Sequence, residues 1–209
     1  MASHTKTSNQ IYFYDSLGSK APSSARKVHI RRLVDILQLS IHRRDWTRAR
    51  RAWCILARCP EFEWKKMWQT GLLLVDSAGD AADPSRSDQK RLDYLHVMML
   101  RSPENRVSIL QEIILRLIKG NRHQNALEEL ELYLPSFPYL DSPVLHIYAG
   151  LLCLFLAHPS MLPLNQALVR EAKTHLRRAA DLDPGHPVPS EFLARVCWIP
   201  FSPPTRIRR

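Results

Sequence analysis

Between His42 and Pro60 the chain reads HRRDWTRARRAWCILARCP, with six arginines threaded among two tryptophans. A guanidinium is permanently charged and planar, and its fork of N–H donors matches the oxygens of phosphates and carboxylates. Arg44, Arg48 and Arg51 step by four and three, so on a helix they would share one stripe, flanked by Arg43, Arg50 and Arg58. Arg31 and Arg32 stand on the segment before it. Two uses compete: a solvated face whose long stems cover apolar surface, or a patch for phosphates or an acidic partner. No carboxylate at i,i+4 compensates the stripe, which supports the second use. Contact with DNA would then go to phosphates, which position a protein without reading sequence. The candidate partner- or DNA-binding residues are therefore Arg31, Arg32, Arg43, Arg44, Arg48 and Arg51.

Other chemistry is sparse. The chain has no phosphate-cradling Gly-rich loop, no HExxH and no G-x-S-x-G, and only six glycines in all, so neither an enzyme nor a bound cofactor is expected. Cys54 and Cys59 are five apart, about 140° around a helix, an awkward pair for a shared metal. His42, His96, His146 and His175 fall in helical segments and are read as structural, and Met98 and Met99 as core filler.

The chain has 209 residues, 45% of them hydrophobic, enough to fold around its own interior. Its net charge of +10 is unevenly placed. Residues 1–60 hold twelve Lys or Arg against Asp15, Asp35 and Asp45, a surplus of nine, whereas residues 61–209 hold eighteen against seventeen acids. A basic N-terminal third suggests an acidic partner, most commonly nucleic acid. Cys54, Cys59, Cys153 and Cys197 show no disulfide-framework spacing and imply a reducing compartment. MASHTKTSNQ lacks the apolar core of a signal peptide, and LHIYAGLLCLFLAH is too short to span a bilayer, so a soluble chain without membrane contact is expected.

The elements that would carry the arginines are helices. Residues 1–25 mix Ser, Thr, Lys, Gly and Pro around IYFYDSLGS and read as a flexible arm. From Val28 onward apolar residues recur at helical spacing, and no segment alternates as a strand would. Leu33, Ile36 and Leu37 are followed by Ala49, sixteen residues after Leu33, then Trp53, Leu56 and Pro60. Leu110, Ile113, Ile114 and Leu117 are likewise followed by Ala126, again sixteen residues on, then Leu130 and Pro138. A further copy runs from Leu145 to Ala172, Leu176 and Pro184, its interval stretched to 27 by an insertion at HPSMLPLNQAL. A small residue lets two antiparallel helices approach, and a bulky one a turn later fills the groove beside it. The expected seam is therefore Leu33, Leu37, Trp46, Ala49, Trp53, Leu56, Ala126, Leu130, Ala172 and Leu176, with Asp45 capping the arginine helix. If Trp53 is a full core position, Trp53→Ala costs roughly 3 to 5 kcal/mol.

This pattern resembles the tetratricopeptide repeat, at roughly 34 residues per copy. It predicts an all-α fold, a right-handed stack of antiparallel hairpins forming an α-solenoid over residues 26–200. The hairpins fall at about 28–60, 61–103, 104–138 and 141–184, with a capping helix at 189–199 and a basic tail at 201–209. The second copy is degenerate, with Arg91 where a small residue is expected.

The block HIRRLVDILQLSIHRRDWTRARRAWCILARCPEFEWKKMWQTGLLLV is similar to the small helical-repeat subunit of the fungal RNA polymerase I core factor, the counterpart of a TATA-binding-protein-associated subunit of the animal selectivity factor. The resemblance implies a non-enzymatic, nuclear and nucleolar initiation factor. Its partners would be the large and TFIIB-like core factor subunits, the TATA-binding protein and RNA polymerase I, at the ribosomal DNA promoter. Three readings stay open beside it: a half-tetratricopeptide RNA-processing scaffold, a peptide-binding adaptor gripping acidic tails, and, more distantly, an enzyme subunit built on helical hairpins.

Overall fold

The computed structural model describes residues 24–77, 84–158 and 165–197. Every regular element among them is helical, with no strand. The chain divides into two compact units, Met1–Gly79 and Asp80–Arg209.

In the first unit lie α1 (Ala25–His42), α2 (Trp46–Leu56) and α3 (Trp68–Asp76). Ser24 caps α1, its hydroxyl accepting from the Lys27 N–H at 3.3 Å. Ile30, Leu33, Val34 and Leu37 of α1 recur at helical spacing and are buried against Ala49, Ala52 and Leu56 of α2, with Phe62 and Leu74 completing the core. Trp46 and Trp53 are packed on this cluster but only half-buried. The buried stripe of α2 is thus centred on the two alanines and Leu56, and the tryptophans roof its edge. Two small side chains let α1 approach closely, and an indole is too large to follow them into that gap. Trp53 still makes an edge-to-face contact with Phe62, centroids 5.8 Å apart. Its loss should cost less than truncation of a fully enclosed side chain.

The second unit holds α4 (Pro84–Arg101), α5 (Arg106–Lys119), α6 (His123–Tyr133), α7 (Pro143–Ala157), α8 (Gln166–Leu182) and α9 (Pro187–Cys197). Leu95, Met98 and Met99 of α4, Ile109, Leu110, Ile113, Ile114 and Leu117 of α5, and Ala126, Leu127 and Leu130 of α6 are all buried. Ala126 and Ala172 have no exposed surface, like Ala49, and Leu130 and Leu176 are equally enclosed. Helices α7 and α8 approach closely at Gly150. A Cβ built on Gly150 would lie 2.8 Å from Cγ of Leu176 and 3.3 Å from the Ala172 carbonyl oxygen. The last pair, α8 and α9, closes over Ala157, Val169 and Val196.

Two turns match each other at backbone level. After α1, Arg44 has φ 58° and the Asp45 N–H donates to the Ser40 carbonyl at 2.9 Å. After α5, Asn121 has φ 56° and the Arg122 N–H donates to the Leu117 carbonyl at 2.9 Å. The two hairpins superpose in sequence at one constant offset: Leu33 on Leu110, Ala49 on Ala126, Trp53 on Leu130. The expected hairpin at 61–103 would join α3 to α4, which fall in different units with residues 78–83 outside the described residues. Residues 1–23 of the expected N-terminal arm, residues 159–164 of the insertion and the basic tail likewise lie outside them, whereas Ser24 and Ala25 belong to the start of α1.

Candidate interaction surface

The arginines are presented by the α1–α2 hairpin. Asp45 ends the turn and caps α2, its Oδ1 accepting from the Arg48 N–H at 3.1 Å. This carboxylate is therefore engaged with backbone donors at the helix N-terminus rather than spread over the arginines around it. Arg43, Arg44, Arg48 and Arg51 are exposed, as are Arg32 and Arg58, while Arg31 and Arg50 are half-buried. Arg50 turns back along its helix, Nε donating to the Trp46 carbonyl at 3.2 Å.

A correction concerns Arg44. A single helical stripe through Arg44, Arg48 and Arg51 does not exist, because Arg44 belongs to the turn, in the left-handed region, and α2 begins only at Trp46. Arg43 and Arg44 stand at the tip of the hairpin and Arg48 and Arg51 on the flank of α2.

Two acidic residues of the same unit, Glu61 and Glu63, pair with other cations. Glu61 takes the Arg26 guanidinium in a two-pronged pair, Nε to Oε1 at 2.5 Å and Nη2 to Oε2 at 3.1 Å. Those hydrogen bonds raise the Arg26 pKa and hold the Glu61 carboxyl below its usual range. Glu63 pairs with Lys66 at 2.6 Å. Among the described residues no carboxylate forms an ion pair with Arg43, Arg44, Arg48 or Arg51. The hairpin tip therefore presents several cations whose repulsion the fold does not cancel, a surface that gains from an anionic partner.

No group of three or more His, Cys, Asp or Glu is placed to hold a metal ion among the described residues. Cys54 is exposed, and Cys59 is half-buried with its thiol donating to the Ile55 carbonyl at 3.5 Å. No described helix is long and apolar enough to cross a membrane.

A contact invisible to local sequence reading joins His146 of α7 to His175 of α8. Their Nδ1 atoms lie 3.2 Å apart, and Nε2 of His146 is 3.0 Å from the Leu140 carbonyl. When both rings are neutral, Nε2 of His146 donates to that carbonyl, its Nδ1 accepts, and the proton between the rings belongs to His175. Burial lowers both pKa values, and for His175 the neighbouring His146 lowers it further.

The RNA polymerase I-specific transcription initiation factor Rrn11 family matches residues 3–115, a stretch that contains the whole basic hairpin. The chain is also 28% identical over 140 residues to the RNA polymerase I-specific transcription initiation factor rrn11 of Schizosaccharomyces pombe, covering 62% of this chain and 66% of the relative, just under two thirds of its length. No solved structure matches the chain. With the family match extending over more than half of the 209 residues, the chain belongs to the RNA polymerase I-specific transcription initiation factor Rrn11 family.

Proposed function

We propose that this chain is a non-enzymatic subunit of the RNA polymerase I core promoter-binding factor, a nuclear and nucleolar scaffold for assembly of the initiation complex at ribosomal DNA. Its partners on this reading are the large and TFIIB-like subunits of that factor, the TATA-binding protein and RNA polymerase I. Its helices stack as a tetratricopeptide-like solenoid, a reading supported by the matched turns of α1–α2 and α5–α6 and by the enclosed alanines of three hairpins. The RNA-processing scaffold and the peptide adaptor gain no support from the family match.

The observation that carries the reading is the placement of Arg43, Arg44, Arg48 and Arg51, exposed and without an ion-pair partner among the described residues, inside the segment that matches the family. Such arginines suit sequence-independent contact with phosphates, which would hold the assembled factor on its promoter. The test replaces Arg43, Arg48 and Arg51 by Glu and measures promoter occupancy of the assembled factor across a salt series. Each lost phosphate contact should lower the salt slope by roughly one. Unchanged occupancy together with an unchanged slope would reduce the arginines to a solvated face.

A further inference from the structure

We propose that the outer face of α6, with the turn that follows it, is a docking surface for a lysine- or arginine-rich segment carrying apolar anchors, contributed by another protein. The chain holds 30 Lys and Arg, yet none lies between His123 and Val169, where Glu128, Glu129, Glu131 and Asp141 supply the formal charge. For α7 the reason is burial. For α6 it is not, because one whole side of that helix meets solvent.

At 100° per residue Gln124, Asn125, Glu128, Glu131 and Leu132 fall within an arc of about 120°, and all five are exposed. Glu129 faces His96 at 3.3 Å and Asp141 faces Arg178 at 3.7 Å, so these two carboxylates have cationic or potentially cationic neighbours. Glu128 accepts only from the Gln124 amide, at 3.3 Å, and neither it nor Glu131 forms an ion pair among the described residues.

Beside these carboxylates stand large apolar side chains in water. Leu132 is 68% exposed, Phe137 81% and Leu140 40%. The turn that carries the last two is fixed on the end of α6: the Ser136 carbonyl accepts from the N–H groups of Tyr139 at 3.0 Å and Leu140 at 3.1 Å, and the rings of Tyr133 and Tyr139 lie 5.4 Å apart. An ordinary solvated helix face mixes both signs of charge; the exposed charges on this face of α6 are carboxylates alone, with exposed apolar side chains on the same helix and in the turn after it. A basic segment fits both halves at once. Its cations pair with Glu128 and Glu131, its aliphatic stems lie along Leu132, and a guanidinium can stack on the Phe137 ring. The preference is opposite to that of the α1–α2 hairpin, and it holds whether or not the polymerase I reading does.

The experiment places the photo-crosslinking residue p-benzoylphenylalanine at position 137 of the full chain, irradiates it in an extract of the source cells, and sequences the crosslinked peptides by mass spectrometry. Supporting results are peptides from another polypeptide with net positive charge and large apolar residues, and a crosslink yield that drops roughly tenfold when Glu128→Lys and Glu131→Lys are combined. The yield should also fall as salt rises from about 50 to about 300 mM. Both substituted positions are exposed, and an unchanged circular dichroism spectrum keeps the comparison valid. Crosslinks to an acidic or neutral segment, to this chain's own N-terminal arm or to a second copy would overturn the proposal. So would the absence of crosslinks, or a yield indifferent to the charge reversal.

Discussion

Exchanging Arg44 for Asn should stabilise the protein, although it removes a side chain from the candidate surface. Arg44 holds φ 58°, where a side chain with a Cβ crowds the backbone at a cost of roughly 1 to 2 kcal/mol. In the twin turn the same place is taken by Asn121 at φ 56°, and asparagine tolerates that region through local hydrogen bonds of its short amide. Arg44→Asn should therefore raise the unfolding free energy by roughly 0.5 to 1 kcal/mol, or about 2 to 4 °C at most in Tm for a chain of this size. Urea unfolding followed by far-ultraviolet circular dichroism measures the difference. Removing a charge from a cationic cluster also stabilises, by a few tenths of a kcal/mol at most in ordinary salt. Arg44→Gln separates the two effects, because it deletes the charge but places the amide one methylene too far out for asparagine's local hydrogen bonds. The reciprocal change, Asn121→Arg, should cost what the first one gains. If Arg44→Asn lowers stability, or Arg44→Gln gains as much as Arg44→Asn, the strained-turn argument fails. If it holds, retaining arginine at this position despite the strain fits a residue kept for what it binds.

Further outcomes follow from packing and titration. Gly150→Ala should destabilise by roughly 1 kcal/mol net, since the helix-propensity gain of alanine is outweighed by overpacking against the enclosed Leu176 side chain and the Ala172 carbonyl; a rise in the urea midpoint would refute the close approach. The His146–His175 pair stays neutral in the fold while the unfolded chain takes up protons near 6.5, so its stabilisation is present above that value and is lost as pH falls through it toward the lower folded values. Urea midpoints at about pH 7.5 and about pH 5.5 should show this loss, and His175→Gln should flatten it. Cys153 is buried, and that burial, with the charges of Glu171 and Glu131, pushes its thiol up to about 12. A thiol-reactive disulfide reagent at about pH 8 should modify exposed Cys54 quickly and Cys153 only as fast as the chain opens; fast reaction at Cys153 would contradict its enclosure.

What the sequence discloses here is local, and what it hides depends on where the chain returns. Asp45 ahead of a helical run names its own cap, and sixteen-residue intervals single out Ala49 and Ala126, because both signals act within one or two turns of backbone. Trp46 and Trp53 illustrate the limit of periodicity. It groups residues on one side of a helix without saying which sits at the centre, and only the approach of α1 decides that Ala52 lies inside and the indoles at the rim. The left-handed backbone of Arg44 has no signature in an arginine; comparison with Asn121 in the other copy is the one clue. His146 and His175 meet across two helices separated by an insertion, a pairing that spacing cannot supply. The charge-poor run from His123 to Val169 is plain in composition, but its meaning rests on exposure, which separates the enclosed α7 from the open side of α6.

The three-residue turns that close α1 on α2 and α5 on α6 also bear on how the polypeptide acquires its shape. Each brings together partners near in the chain, so little entropy is spent on closure and each helical pair can zip up early from its own contacts. Injury to one such module leaves the other's nucleation untouched, and chains of this kind tend to melt in segments rather than in a single cooperative event. A chain built so keeps one hairpin ordered while the other loosens and re-forms.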